Sequence, residues 1–508
     1  MAVRPQEEFF LLTKSISAVL LSLTILLSGL FFEAAVISAS AALPGGIVKD
    51  IPMAKEDSVS TYLPSEASPG QGLAINIIYP QKARYATGAP VVVVVPGGDG
   101  PNGLSFCAHA TQVGFVEIRF AFPGGGVKGF SSGGHNDYRG ENSQKALRDV
   151  LLFAMGKLED CKERSLKDLV PTKIAPQEIG ILAWSNGGNI ALVTMDKFAD
   201  QLQGIAWVAF YESPIGSLFF PPCLGCTRDL VMNKHYRDGS AATGHCLIDF
   251  RKLSWDGGTK RDPGTHKKLS EPDPTGVLYF DDNGSGTWDE PREYAFRYSL
   301  KANSSQEFYP PEVTSAMERL KPFGDNWPEQ VAILSDSESY FQERDGSLCI
   351  PGVAQKFPKL MVTVYGSHMD HLQLQPDHPH IQFQYNTWLD NNIHWIRLNP
   401  ETIYLSDLAQ MNTRNFINNK PNGTLESDSI NDNLEPEGIL PDYVYMEACI
   451  AELADRVKTG NMASPLLEPL VKYSNGAKVE TKPGAAPAAD AAKNAEPSAP
   501  AKDMGSIE

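Results

Sequence analysis

The residues with most chemistry to offer lie in the tract Ile179-Gly-Ile-Leu-Ala-Trp-Ser185-Asn-Gly-Gly-Asn-Ile-Ala. An apolar run leads straight into Ser185, and a helix-forming stretch follows at once. A chain that turns so sharply from strand to helix needs small residues two before and two after the bend. Ala183 and Gly187 meet that need. The bend would hold the hydroxyl clear of the sheet, with a helix N-terminus beneath it to favour developing negative charge. That is how a serine is presented for nucleophilic attack, provided a base takes its proton and a carboxylate orients the base.

This tract resembles the nucleophile elbow of the α/β hydrolases, with Ala183 in place of the first glycine of Gly-x-Ser-x-Gly. The resemblance, to the serine esterase, dienelactone-hydrolase and prolyl-peptidase branches, covers roughly residues 72 to 400. It implies an oxyanion hole made by the N–H of Asn186 and by one from the turn Pro96-Gly97-Gly98-Asp99-Gly100, where Gly98 or Asp99 is the donor. It also implies the chain order serine, acid, histidine. In the preferred register Val331 to Leu334 is a strand delivering the acid, Glu338 or its neighbour Asp336. The strand Lys359 to Tyr365 then delivers the histidine, His371 ahead of His368. In the other register Lys359 to Tyr365 is the acid strand, Asp370 the acid, and His378, His380 or His394 the base.

A second cluster of oxygens stands at Asp281, Asn283, Ser285 and Asp289, with Gly286 at the turn position and the Thr287 carbonyl as a further donor. It resembles the calcium loop of EF-hands, because hard cations take clustered oxygens. It departs where a bidentate Glu is expected: Arg292 stands there and Glu293 comes one residue late. An Asn-Gly hairpin is the plain alternative. Calcium is thus the one cofactor to consider, and the serine chemistry requires none.

The elements that must position these residues form an α/β pattern. Strands are expected at Gly72 to Tyr79, Ala89 to Val95, Gly114 to Phe122, Ile179 to Trp184 and Gly204 to Tyr211, with helices at Ser143 to Lys157 and Gly187 to Phe198. The unbroken β-branched run at 89–95 suits a strand buried on both faces. The alternation predicts a mostly parallel, doubly wound sheet with helices on both faces. After Tyr211 the rhythm stops, and 212–328 reads as a cap or lid insertion rich in Pro, Gly, Asp and Cys. A helix around Ile381 to Trp388 closes the sheet. A polar, helical extension fills 401–474, including Tyr443 to Val457.

The ends are of a different kind. Arg4 and Lys14 precede the apolar run Ile16 to Phe32, and Ala39-Ser40-Ala41 has the small-x-small form of a cleavage site. Residues 1–41 therefore read as a signal peptide, 42–71 as an N-terminal segment, and the chain as exported; an uncleaved membrane anchor is the alternative. Residues 475–508 are Ala- and Pro-rich and hold too few large apolar side chains to order themselves. A formal charge of −17 over 508 residues argues against nucleic acid or an anionic membrane as the main partner. Seven cysteines leave one over after pairing. Cys223, Cys226 and Cys246 suit a disulfide in the insertion better than a zinc site, whose second cysteine pair is missing. Asn303-Ser-Ser and Asn422-Gly-Thr are glycosylation sequons.

Together these features point to an exported serine hydrolase acting on a small-molecule or polymer ester. A peptidase of the same fold and a non-catalytic binding module of that fold are the alternatives.

Overall fold

The computed structural model describes residues 56–98, 100–215, 225–226, 231–232, 235, 250–257, 276–289, 292–295, 300–301, 307–309, 311–322, 332–367, 379–401, 403–404, 425 and 442–463. Its centre is an eight-stranded sheet. In chain order the strands are β1 (Asp57–Leu63), β2 (Leu73–Tyr79), β3 (Ala89–Val95), β4 (Val116–Phe120), β5 (Ile174–Trp184), β6 (Ile205–Tyr211), β7 (Met361–Tyr365) and β8 (Trp395–Leu398). Their order across the sheet is β1-β2-β4-β3-β5-β6-β7-β8. β2 runs antiparallel to both its neighbours, and every pair from β4 to β8 is parallel. This is the mostly parallel α/β sheet that the sequence predicts. β1 and β8 were not foreseen, the first lying within the expected N-terminal segment.

Alternate residues of the buried strands feed two cores. Val91, Val93 and Val95 of β3 face helices α1 (Glu141–Ala154) and α2 (Gly187–Lys197), in a core that holds Leu147 and Ile190 and extends along the sheet to Trp388 of α4 (Pro379–Asp390). Val92 and Val94 face the other way, into a core with Trp207, Tyr365 and Met446, Ile450 and Leu453 of α5 (Asp442–Thr459). A β-branched run without polar interruption is what a strand covered on both sides requires. Of the expected C-terminal extension, α5 thus packs on the main sheet and helps to cover one of its faces.

The second half of the sheet departs from expectation. β6 pairs directly with β7 from Trp207↔Met361 to Tyr211↔Tyr365, so no strand lies between them. Where a strand is expected, at Val331 to Leu334, the described residues 332–334 form none, and Val331 lies outside the described residues. Leu334 instead begins α3 (Leu334–Arg344), and Ile333 just before it is exposed. Four apolar residues were too short a signal, and the Ser-Asp-Ser-Glu that follows favours a helix start. Among the described residues the chain next enters the sheet after β6 at Met361 of β7. The described parts in between include the ribbon Leu253–Asp256/Val277–Phe280 and the helix Pro311–Leu320. Among the described residues no helix is long and apolar enough to cross a membrane. The apolar N-terminal run lies outside them.

Candidate active site

Parallel strands end together, and the C-terminal edge of β3, β5, β6, β7 and β8 gathers the residues of interest. Ser185 follows β5 immediately and has φ 49°, a left-handed conformation that costs a non-glycine residue about 1–3 kcal/mol. Its N–H donates to Tyr211 O at 2.8 Å, and Gly188 in the first turn of α2 donates to Ser185 O at 3.0 Å. The side chain is half-buried and so remains reachable. Two glycines make the bend fit. A Cβ on Gly187 would stand 2.4 Å from Val95 O, and one on Gly97 would stand 2.9 Å from the Ser185 Cβ. The strand–bend–helix junction expected from sequence is therefore present, with the β3 turn pressed against it.

That turn is fixed from behind. Arg139, buried and stacked 3.8 Å from the Phe122 ring centroid, reaches three successive carbonyls. Its Nη2 donates to Pro96 O at 3.2 Å and Gly97 O at 3.0 Å, and its Nε donates to Gly98 O at 3.1 Å. In a trans peptide C=O and N–H point oppositely, so the N–H groups of Gly97 and Gly98 face away from the guanidinium. Asn186 Nδ2 also donates to Gly98 O, at 3.1 Å, which ties the two expected oxyanion segments together. Asp99 lies outside the described residues. Arg344 of α3 in turn holds the Arg139 segment, donating to Asp137 O and Tyr138 O at 2.9 Å each. Neither arginine was foreseen, because three backbone acceptors leave no trace in a sequence.

The expected acids stand elsewhere. Asp336 and Glu338 are exposed on α3, not at a strand end, because the strand that was to carry them is a helix. The edge offers a different carboxylate. Glu212 follows β6 as Ser185 follows β5, is buried, has φ 44°, and donates its N–H to Tyr365 O at 3.1 Å. The pairs Trp184↔Tyr211 and Tyr211↔Tyr365 put Ser185, Glu212 and Gly366 at successive places along one row. Adjacent strands in such a row are about 4.8 Å apart. The signal for Glu212 was present in the sequence: a charged residue ending the buried run IAWVAFY without a turn residue between.

The histidines divide by edge. His368, Asp370, His371 and His378 lie outside the described residues, in the connection that leaves β7 two residues beyond Gly366. His380 is buried in the first turn of α4, at the end of that connection. His394 precedes β8, at the opposite edge of the sheet. There it lines a cavity of about 610 Å³ with Gly204, Phe357 and Met462, so it is removed from the serine. No histidine follows β8. The residue there is Asn399, with φ 59°, whose Oδ1 accepts the Gly366 N–H at 2.9 Å.

In the insertion, Asp281 accepts the Ser285 and Gly286 N–H groups at 3.1 Å each, and Asn283 Oδ1 accepts the Ser285 N–H at 2.7 Å. Ser285 Oγ donates to Thr287 O. Glu293, the acid that came one residue late, folds back to accept N–H groups from Asp282, Asn283 and Asp289. Among the described residues no group of three or more His, Cys, Asp or Glu side chains is disposed to hold a metal ion. Among the described residues Cys107, Cys161 and Cys349 are in no disulfide, while Cys223 and Cys246 and the side chain of Cys226 lie outside them.

No protein-family model matches the chain, and no curated protein does. Solved structures do. Brefeldin A esterase, described as a bacterial homologue of human hormone sensitive lipase, is 15 % identical over 34 % of this chain and 44 % of its own, with TM-score 0.25. A prolyl endopeptidase is 14 % identical over 34 % of this chain and 24 % of its own, with TM-score 0.24. An esterase of the archaeon Pyrobaculum calidifontis is 14 % identical over 33 % and 48 %, with TM-score 0.22. This chain thus spans less than half the length of each. The assignment of architecture rests on strand order and the bend at Ser185, not on these likenesses.

Proposed function

We propose that this chain, whose fold is that of the α/β hydrolases, is an exported serine hydrolase that opens an ester by attack of Ser185. The observation that carries the reading is the strained, half-exposed serine between β5 and α2, with Gly97 packed against it. A residue is held in a sparsely populated conformation only where its surroundings over-determine it, and such strain clusters where chemistry is done.

In this reading Ser185 Oγ adds to the acyl carbon while a histidine from the β7–α4 connection takes its proton. His371 and His368 are the candidates, since that connection starts in the same strand-end row as Ser185 and Glu212. Glu212 orients the imidazole and stabilises it when charged. The N–H groups of Asn186 and of Gly97 or Gly98 receive the oxyanion, held rigid through Arg139. The acyl-enzyme is then released by water. Esters are the substrates because they ask least of the acid that protonates the leaving group.

The test is labelling of the folded full-length protein by a fluorophosphonate, alongside turnover of short p-nitrophenyl esters. Ser185→Ala should abolish the label and lower turnover by about 10⁴-fold or more. A folded wild-type protein that takes no label would favour a binding module, and turnover of peptide anilides in place of esters would make it a peptidase.

A further inference from the structure

A second group of reactive side chains lies apart from the serine bend. Cys107 and His109 stand late in the β3–β4 connection, and Glu117 and Arg119 on β4 meet them. Arg119 Nη2 donates to Cys107 Sγ at 2.6 Å, and its Nε donates to Glu117 Oε1 at 2.6 Å. Glu117 is buried, and its oxygens also accept the Ala108 and Ala110 N–H groups at 3.2 and 2.8 Å. His109, in a left-handed conformation at φ 49°, stands two residues from Cys107 and lies 3.5 Å from Glu56 through Nδ1. Thr111 Oγ1 holds that Glu56 oxygen at 2.6 Å.

One further group faces this cluster without a partner. Glu447 of α5 is only 2 % exposed, and its Oε1 meets no hydrogen-bond donor among the described residues. Tyr443, one turn earlier, brings its ring to 5.1 Å from that of His109. Burial, aided by Glu117 and Glu56 and opposed by His109, pushes the Glu447 carboxyl well above the usual range. The nearby Cys107 and Glu56 push the His109 imidazole up to about 10, so it stays charged at neutral pH. The Cys107 sulfur therefore has a guanidinium and an imidazolium beside it. A half-exposed sulfur flanked by such groups is placed to attack a small electrophile, with a proton donor at hand for the group that leaves.

We propose that Cys107 is a second nucleophilic centre, a thiol that hydroperoxides oxidise to the sulfenic acid. The sulfur anion attacks one peroxide oxygen, forming S–O as O–O breaks. The sulfur is oxidised by two electrons and the peroxide is reduced by two. The departing oxide takes a proton from His109, leaving Cys107 as S–OH, a neutral imidazole and one molecule of water or alcohol. A low-molecular-weight thiol would then condense with the sulfenic acid, releasing water and giving a mixed disulfide that a second thiol reduces.

The internal reference is Cys161, which is more exposed but has Asp160 beside it; partial burial and that charge push its thiol up. Folded full-length protein is treated with iodoacetamide at pH 6, and alkylation of each cysteine is followed by mass spectrometry. Cys107 should react faster than Cys161 by about tenfold or more despite its lower exposure. Hydrogen peroxide followed by dimedone should place the sulfenic adduct on Cys107. His109→Gln and Glu56→Gln should slow both reactions, with unchanged melting showing that the fold is intact. Arg119→Gln is the stronger perturbation, but it also frees the buried Glu117, so the other two variants decide. Alkylation of Cys107 no faster than of Cys161, or rates untouched by His109→Gln, would overturn the proposal.

Discussion

Two polar regions of this molecule, the strand-end edge around Ser185 and the face beneath α5, handle buried polar groups in opposite ways. Under α5, Asp455 is fully buried and accepts from Arg84 Nε and Nη2 at 2.7 and 2.6 Å, from Tyr85 Oη at 2.7 Å and from Tyr404 Oη at 3.0 Å. Beside it Arg397 pairs with Glu401 at 2.8 Å, and Arg456 with Glu452 at 2.7 Å. No residue of α5 has positive φ. At the strand ends, Ser185, Glu212 and Asn399 all have positive φ, and the serine is open. The part built for stability, around Asp455, pairs its charges and relaxes its backbone, whereas Glu447 nearer the start of α5 stands buried with Oε1 unpaired. A region built for chemistry keeps strain, and here that strain recurs at the ends of three strands.

The largest effect expected from breaking this contrast is at Glu212. Glu212→Gln keeps the size of the side chain and removes its charge, so it should lower ester turnover by about 10³–10⁴-fold, as loss of a triad carboxylate does. Glu338→Gln and Asp336→Asn, on the exposed face of α3, should leave turnover unchanged. Kinetics on the three variants checks both statements. Loss of activity at Glu338 with none at Glu212 would return the acid to α3.

Next comes the paired region. Asp455→Ala strands Arg84 in a buried site, and breaking a buried ion pair on one side costs about 3–5 kcal/mol. Urea unfolding of the variant should show that loss, while turnover at low temperature stays near wild type because α5 touches the opposite face of the sheet from α2. A variant as stable as the parent would mean that α5 is held by its apolar contacts alone.

Arg139 joins the two modes, being a buried cation whose partners are the carbonyls behind the reactive turn. Arg139→Gln should reduce kcat by about 10²-fold with little change in KM, the signature of a misplaced oxyanion donor. A change confined to KM would make the turn a substrate-binding feature and not a transition-state one.

The same contrast explains what was legible in the sequence. β3 and β5 could be read because strands covered on both faces leave unbroken apolar runs, and the Ser185 bend because its glycines are demanded by close backbone approach. β8 was missed because Trp-Ile-Arg-Leu is four residues long and contains a charge. That charge is buried, and it pairs with Glu401 four residues on and with Glu452 far along the chain. Val331 to Leu334 misled for the opposite reason: an apolar tetrapeptide cannot by itself declare its period. Glu212 was passed over, since nothing local shows that Tyr211 and Tyr365 are neighbours in the sheet. Composition gave no hint of the grip that Arg139 and Arg344 take on the reactive turn, which is made through backbone oxygens.

Asp345 offers the finest version of the comparison, because it is the same residue type as Asp455 with far less support. Both are fully buried. Asp345 Oδ1 accepts only the N–H and Oγ–H of Ser347, at 2.9 and 2.6 Å, and Oδ2 meets no donor among the described residues. Burial without a countercharge pushes its carboxyl up to about 7. In the unfolded chain it titrates near the ordinary value of about 3.9. Between those two pH values the folded protein keeps a proton that the unfolded chain has lost. The stability contributed by the neutral carboxyl is therefore complete below about pH 4 and drains away as pH rises towards 7. Asp345→Asn keeps the Oδ1 acceptor and cannot ionise. Its stability relative to wild type should thus improve steadily from pH 4 to pH 7 and then level off, read from paired urea titrations at each pH. A gap that stays constant across that range would mean that water or a donor reaches Oδ2, and that Asp345 belongs with Asp455 among the satisfied carboxylates.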